Sequence, residues 1–156
     1  MLNWKICRKE FAPNGALRDI YILDASIEHW RKVFKILTTT YDLEYRVDGD
    51  VQPIPRSVDE IFDVRATASP LMRFQLAGVT VVCHFFCVEQ IELDVDPREV
   101  NSATAFDGLI SVLKLIGDGL DRRVIMSCES DEQHPFITYE PSRKEFVYFP
   151  CLTTRS

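Results

Sequence analysis

Few side chains in this sequence stand at spacings that chemistry requires. Cys83-His84-Phe85-Phe86-Cys87 brings two thiols and an imidazole together, a donor set that zinc favours. Structural zinc pairs, however, sit at a turn and are matched by a second pair elsewhere, and neither is present here. On a strand, Cys83 and Cys87 share one face while His84 takes the other, so the run reads as core thiols beside a polar or buried histidine. A nucleophilic cysteine needs a histidine next to it in space. His29 lies in an amphipathic segment and His134 in a polar loop before Pro135, and no local signature surrounds Cys7, Cys83, Cys87, Cys128 or Cys151. A phosphate loop, a dinucleotide fingerprint and a nucleophile elbow are all absent. The expectation is a non-enzymatic chain with no catalytic residue, no metal site and no cofactor. Its rival is a small-ligand binder or enzyme with a pocket near His84 and the cysteines.

Two acidic stretches are the other candidates. Glu92, Asp94 and Asp96 alternate with Ile91, Leu93 and Val95. Alternation puts the three carboxylates on one strand face, about 7 Å apart along it. Such a ladder can be a solvated outer face that discourages edge-to-edge pairing. It can also present a negative patch to a basic protein, or hold Mg²⁺ or Ca²⁺. The loop Glu129-Ser130-Asp131-Glu132-Gln133-His134 offers Glu129, Asp131 and Glu132 as a second acidic contact, or is a solvated connector. The protein-binding candidates are therefore Glu92, Asp94, Asp96, Glu129, Asp131 and Glu132.

Composition narrows the partners. The chain has 156 residues and a net charge of −6, with no basic run longer than two residues. Phosphate binding needs clustered cations, so nucleic acid is excluded as a partner and a basic protein is compatible. No window approaches the 18 or so apolar residues of a membrane span, and Met1 to Glu10 lacks the apolar stretch of a secretory signal. The five cysteines are an odd number, which suits reduced thiols in a cytoplasm.

Periodicity supplies the elements that must position these groups. Trp4 to Arg8 alternates and reads as a first strand; Ile20 to Leu23 reads as a mostly buried one. Asp24-Ala25-Ser26 caps a helix whose apolar face is Ile27, Trp30, Val33, Phe34 and Leu37. Its end falls at Thr38-Thr39-Thr40, where β-branching disfavours helix. Leu43 to Val47 is a strand closed by Asp48-Gly49-Asp50. Ser57-Val58-Asp59-Glu60 is a capping box that opens a short helix through about Arg65. Met72, Phe74 and Leu76 alternate up to an Ala77-Gly78 turn. Val79 to Val88 is almost wholly apolar and reads as a central strand covered on both faces. A long helix buries Phe106, Leu109, Ile110, Leu113, Ile116 and Leu120, with Gly117 and Gly119 weakening its last turn. Arg123 to Cys128 is a strand, and Phe136 to Tyr139 with Phe146 to Phe149 form a terminal hairpin.

This order suits one α+β domain over residues 1–156: a mainly antiparallel sheet with two main helices on one face, in a ferredoxin-like split βαβ arrangement. A homo-oligomer built on the terminal hairpin predicts a large apolar patch there.

Leu17-Arg18-Asp19-Ile20-Tyr21 before the Trp-bearing helix, and Cys83-His84-Phe85-Phe86 followed by Ile91-Glu92-Leu93-Asp94-Val95-Asp96-Pro97-Arg98-Glu99, resemble a group of small uncharacterised bacterial proteins. Some of that group are suspected to be immunity proteins that neutralise a toxin. The resemblance implies a bacterial, cytoplasmic, non-enzymatic protein whose partner is a basic protein such as a toxin, met by occlusion, and it transfers no site residue.

Overall fold

Alternation along the strands decides which way each side chain of this protein faces. The computed structural model describes residues 2–151. Nine strands form one sheet: β1 (Arg18–Ile22), β2 (Glu44–Val47), β3 (Asp50–Gln52), β4 (Pro70–Leu76), β5 (Val79–Cys87), β6 (Gln90–Val95), β7 (Val124–Cys128), β8 (Ile137–Glu140) and β9 (Glu145–Tyr148). The spatial order is β3-β2-β4-β5-β6-β1-β7-β8-β9, and every pair is antiparallel. The helices are α1 (Trp4–Cys7), α2 (Ile27–Thr40), α3 (Val58–Arg65) and α4 (Ala103–Leu120).

The fold class is α+β, with an antiparallel sheet. The split βαβ of a ferredoxin-like fold is not found, since it requires a parallel pair of strands and each described pair is antiparallel. Helices among the described residues number four rather than two, and α2 and α4 are the long ones. No helix among those residues is long and apolar enough to cross a membrane.

One face of the sheet is the floor of the core. Ile20, Met72, Val81, Phe85, Leu93 and Met126 point to it and are at most 3% exposed. The Trp30 ring of α2 lies 5.1 Å from Phe85, and the Phe62 ring of α3 packs edge-on to Trp30 at 5.1 Å. Trp30 Nε1 also donates to the Val88 carbonyl at 3.0 Å, which pins α2 over the end of β5. Among the described residues, the opposite face carries no helix.

Three local expectations change. Residues 4–8 form a helix, not a strand: Asn3 caps it by accepting from the Ile6 N–H. Trp4, Cys7 and Phe11 then fall on one side, where Trp4 and Phe11 meet Phe106 at 5.9 Å each. The helix α2 ends at Thr40, within the Thr38-Thr39-Thr40 run as expected, and the Thr38 and Thr39 hydroxyls fold back onto the Phe34 and Lys35 carbonyls. Asp50–Gln52 forms a short edge strand paired to β2, in a three-residue stretch whose exposed side chains gave no pattern. And β5 is central but covered on one face only: Val81, Cys83 and Phe85 are buried, while His84 is partly exposed and Phe86 and Cys87 are exposed.

Gly117 has a packing role in α4. A Cβ there would meet the Tyr139 ring at 2.6 Å and Val124 at 3.2 Å, while a Cβ at Gly119 would meet Ile36, at 2.3 Å from Cδ1 and 3.4 Å from Cγ1, the far end of a side chain that can turn away. Helix propensity favours alanine over glycine by about 1 kcal/mol at both sites. Overpacking costs about 1–3 kcal/mol where neighbours cannot yield. Gly117→Ala is therefore expected to destabilise the protein and Gly119→Ala to be neutral or stabilising; urea unfolding of the two variants checks the contrast.

Candidate functional site

The helix-free face gathers the titratable side chains that alternation turns away from the core, and at its centre they are buried: Asp19 and Tyr21 are 3% exposed and Asp94 9%. Asp19 and Tyr21 of β1, Glu92 and Asp94 of β6 and His84 of β5 meet at its centre. The register sets this: Asp19 lies opposite Asp94, Tyr21 opposite Glu92, and Glu92 opposite His84. Like charges placed directly across a ladder repel, so the cluster must be held by specific partners.

The partners are present. His84 Nε2 and Asp94 Oδ2 share a hydrogen bond of 2.6 Å, with their side chains only 20% and 12% exposed. The Phe86 ring, two residues along the same strand, stacks on the imidazole with centroids 4.8 Å apart. Asp19 Oδ2 accepts from the Tyr21 hydroxyl and from the Ser130 N–H, both at 2.8 Å. Gln90 donates to Glu92.

Electrostatics follows from this crowding. Burial raises the Asp19 carboxyl above its usual range, and Asp94 and Glu129 add to the rise against the lowering by Ser130 and Tyr21. Glu92 is raised by burial and by Asp19, with His84 working the other way. For His84, burial alone would lower the imidazole; the Asp94 hydrogen bond and the carboxylates of Asp94, Glu92 and Asp19 outweigh it and raise the group above its ordinary value. A histidine held this way favours its charged form.

The six acidic candidates separate. Glu92 and Asp94 stand on the uncovered face as expected, but Asp94 is 9% exposed and committed to His84. Asp96 leaves the ladder, because β6 ends at Val95. It caps the short 3₁₀ turn Pro97–Glu99 and binds the Arg98 guanidinium at 2.6 Å. Glu129 accepts from the Leu17 N–H at 2.8 Å, and Asp131 pairs with His134 at 2.8 Å. With the bond from Ser130 to Asp19, the loop is fastened across the end of β1, so the two acidic stretches belong to one face. Glu132 is near enough to add to the raised pKa of the Tyr21 phenol, whose main cause is burial. Asp19, Tyr21 and His84 were not expected there. The signal was available for β1, where Asp19 and Tyr21 alternate with Ile20 and Ile22.

Cysteines do not join this site. Cys83 and Cys7 are buried, Cys87 is exposed, and Cys128 and Cys151 are half-buried, so the expectation of uniformly buried thiols is corrected. Cys83 faces the helices while His84 faces away, as alternation requires. Among the described residues, no three His, Cys, Asp or Glu side chains are placed to hold a metal ion.

Beside the acidic centre, the same face continues over β7, β8 and β9 as a concavity of about 900 Å³ lined by Arg123, His134, Thr138, Glu140, Val147 and Phe149. An ion pair between Arg123 and Glu140 at 2.7 Å crosses its floor. Val147 and Phe149 are 52% and 68% exposed, and Phe86, on the other side of the acidic centre, is 53% exposed. Comparison with known proteins finds no matching family model, no matching curated protein and no matching solved structure.

The raised Glu92 carboxyl has a consequence for stability. A carboxyl with a folded-state pKa above its unfolded value binds its proton more tightly when folded. Stability therefore falls as pH rises from the ordinary value, about 4.3, through the raised one. Glu92→Gln lacks that loss. At neutral pH it is expected to melt roughly 2–4 °C higher than the parent, with the gap closing below about pH 4, where Glu92 is protonated in both states. Thermal unfolding across pH measures it; a variant no more stable than the parent at neutral pH contradicts the assignment.

Proposed function

We propose that this chain is a non-enzymatic protein-binding module of the immunity type, which acts in a bacterial cytoplasm and neutralises a basic partner such as a toxin by covering it with the helix-free face of the sheet. One observation carries the reading: an acidic centre on that face is flanked by exposed aromatic side chains, Phe86 on one side and Phe149 on the other.

From β5 to β9 the face crosses five strand spacings, about 24 Å. That breadth suits one side of an ordinary protein interface, roughly 800 Å². Aromatic anchors supply most of the affinity in such contacts. Carboxylates contribute steering and specificity. The energetics of the centre also fit a cationic guest: Asp19 and Glu92 are raised by burial and then by neighbouring carboxylates, and a lysine or arginine arriving beside them favours their ionised forms.

A second reading, self-association through the terminal hairpin, is favoured by β9. It is an edge strand with Val147 and Phe149 exposed beside it, and such an edge is a template for pairing with another chain.

The test is co-expression with the product of the gene immediately upstream. Co-purification is expected, with binding that weakens as salt rises. The combined variant Phe86→Ser, Glu92→Lys and Phe149→Ser is expected to weaken it at least about tenfold while circular dichroism stays unchanged. Lys32→Glu with Lys35→Glu, on the exposed side of α2, should leave it intact. Loss of binding in the α2 variant, with retention in the sheet variant, contradicts the proposal. Sedimentation of the protein alone separates the second reading, which requires a dimer sensitive to Phe149→Ser.

A further inference from the structure

Away from the acidic centre, two cysteines approach each other at the end of the sheet. Cys128 is the last residue of β7 and Cys151 follows β9. Their Sγ atoms are 3.7 Å apart, although the residues are 23 apart in sequence. Each is anchored independently. The strand β7 is paired on both sides, to β1 and to β8. Cys151 is held by its N–H, which donates to Glu10 Oε2 at 3.3 Å. The Tyr148 hydroxyl donates to the same carboxylate oxygen. Glu10 is itself only 3% exposed, so Cys151 is held through a buried group. Two thiols in van der Waals contact need only a small side-chain rotation to reach bonding distance, about 2.05 Å.

We propose that Cys128 and Cys151 form an oxidation site, a dithiol that a peroxide converts to an intramolecular disulfide tying the segment after β9 to β7. The two sulfurs have different roles. Cys151 lines the concavity that opens to solvent, so it meets the oxidant. Its thiolate attacks one peroxide oxygen, the O–O bond breaks, and a sulfenic acid and one water form. Cys128 then attacks the Cys151 sulfur. The S–S bond forms, and the hydroxyl leaves with the Cys128 proton as a second water. Two thiols lose two electrons and two protons, and hydrogen peroxide becomes two waters. Burial, with the hydrogen bond to Cys151, pushes the Cys128 thiol up to about 11. Closure therefore quickens as pH rises.

The other thiols are badly placed to compete. Cys7 and Cys83 are buried, and burial raises both. Cys87 is exposed, but β6 and β1 separate its strand from β7. The disulfide would close a loop that contains β8, β9 and the acidic loop, and so fix the wall of the concavity. The chemistry stands on the Cys128–Cys151 geometry and does not depend on the partner reading.

The experiment treats the whole chain with hydrogen peroxide under native conditions. The intact mass should fall by about 2 Da, and a non-reducing peptide map should join the peptide bearing Cys128 to the one bearing Cys151. The melting temperature should rise by roughly 5–10 °C and return on adding dithiothreitol. Cys151→Ser and Cys128→Ser should each abolish the mass loss and the shift, whereas Cys87→Ser should retain both. Should Cys128→Ser fail to fold, Cys151→Ser, outside the sheet, carries the test. Oxidation that stops at a sulfinic acid on Cys151 with Cys128 still reduced, or that appears only as disulfides between chains through Cys87, overturns the proposal.

Discussion

The sheet is covered on one side, and that constraint decides where charge can sit. Helices α2, α3 and α4 bury the apolar half of every central strand. The polar half must then face outward, and in β1, β5 and β6 it consists of Asp19, Tyr21, His84, Glu92 and Asp94. A wide sheet in which three carboxylates meet needs a hydrogen-bond partner for them at the centre. His84 provides it. Its bond to Asp94 at 2.6 Å links β5 to β6 through side chains, next to the backbone ladder that already joins them, and the loop from residue 129 closes over Asp19 from the other side.

Much of this was legible in the sequence, and the parts that were not share a physical cause. Periodicity located α2, α4 and the strands of the central sheet, because their apolar faces are long enough to show a repeat. It misread residues 4–8, where the side chains alternate while Asn3 nucleates a helix. It missed β3, a three-residue edge whose side chains are all exposed. For the candidate site, the alternation of Glu92 and Asp94 was plain. That Asp96 turns aside to cap Pro97–Glu99 depends on where β6 ends. The assembly of Asp19 with Asp94 depends on β1 lying between β6 and β7, a long-range pairing that no local pattern encodes.

The same layout makes the proposed binding face more than an acidic patch. Isolated surface carboxylates are well solvated and attract a cation weakly. Here Asp19 and Glu92 are crowded and partly desolvated, so their ionised forms are held at a cost that a cationic guest would offset. Aromatic anchors at Phe86 and Phe149 lie at opposite ends of the patch, where they can exclude water around the charged centre. The stack of Phe86 on His84 couples the two features, because the ring that would anchor a partner also steadies the imidazole.

The hydrogen bond between His84 and Asp94 holds the centre of the helix-free face together and raises the imidazole. Titration of that imidazole tests this most directly. In an NMR pH titration followed at the His84 ring carbon protons, the account predicts a midpoint above the ordinary histidine value of about 6.5, moving down when Asp94 is replaced by asparagine. A midpoint at or below that value in the parent protein, unmoved by Asp94→Asn, would contradict it.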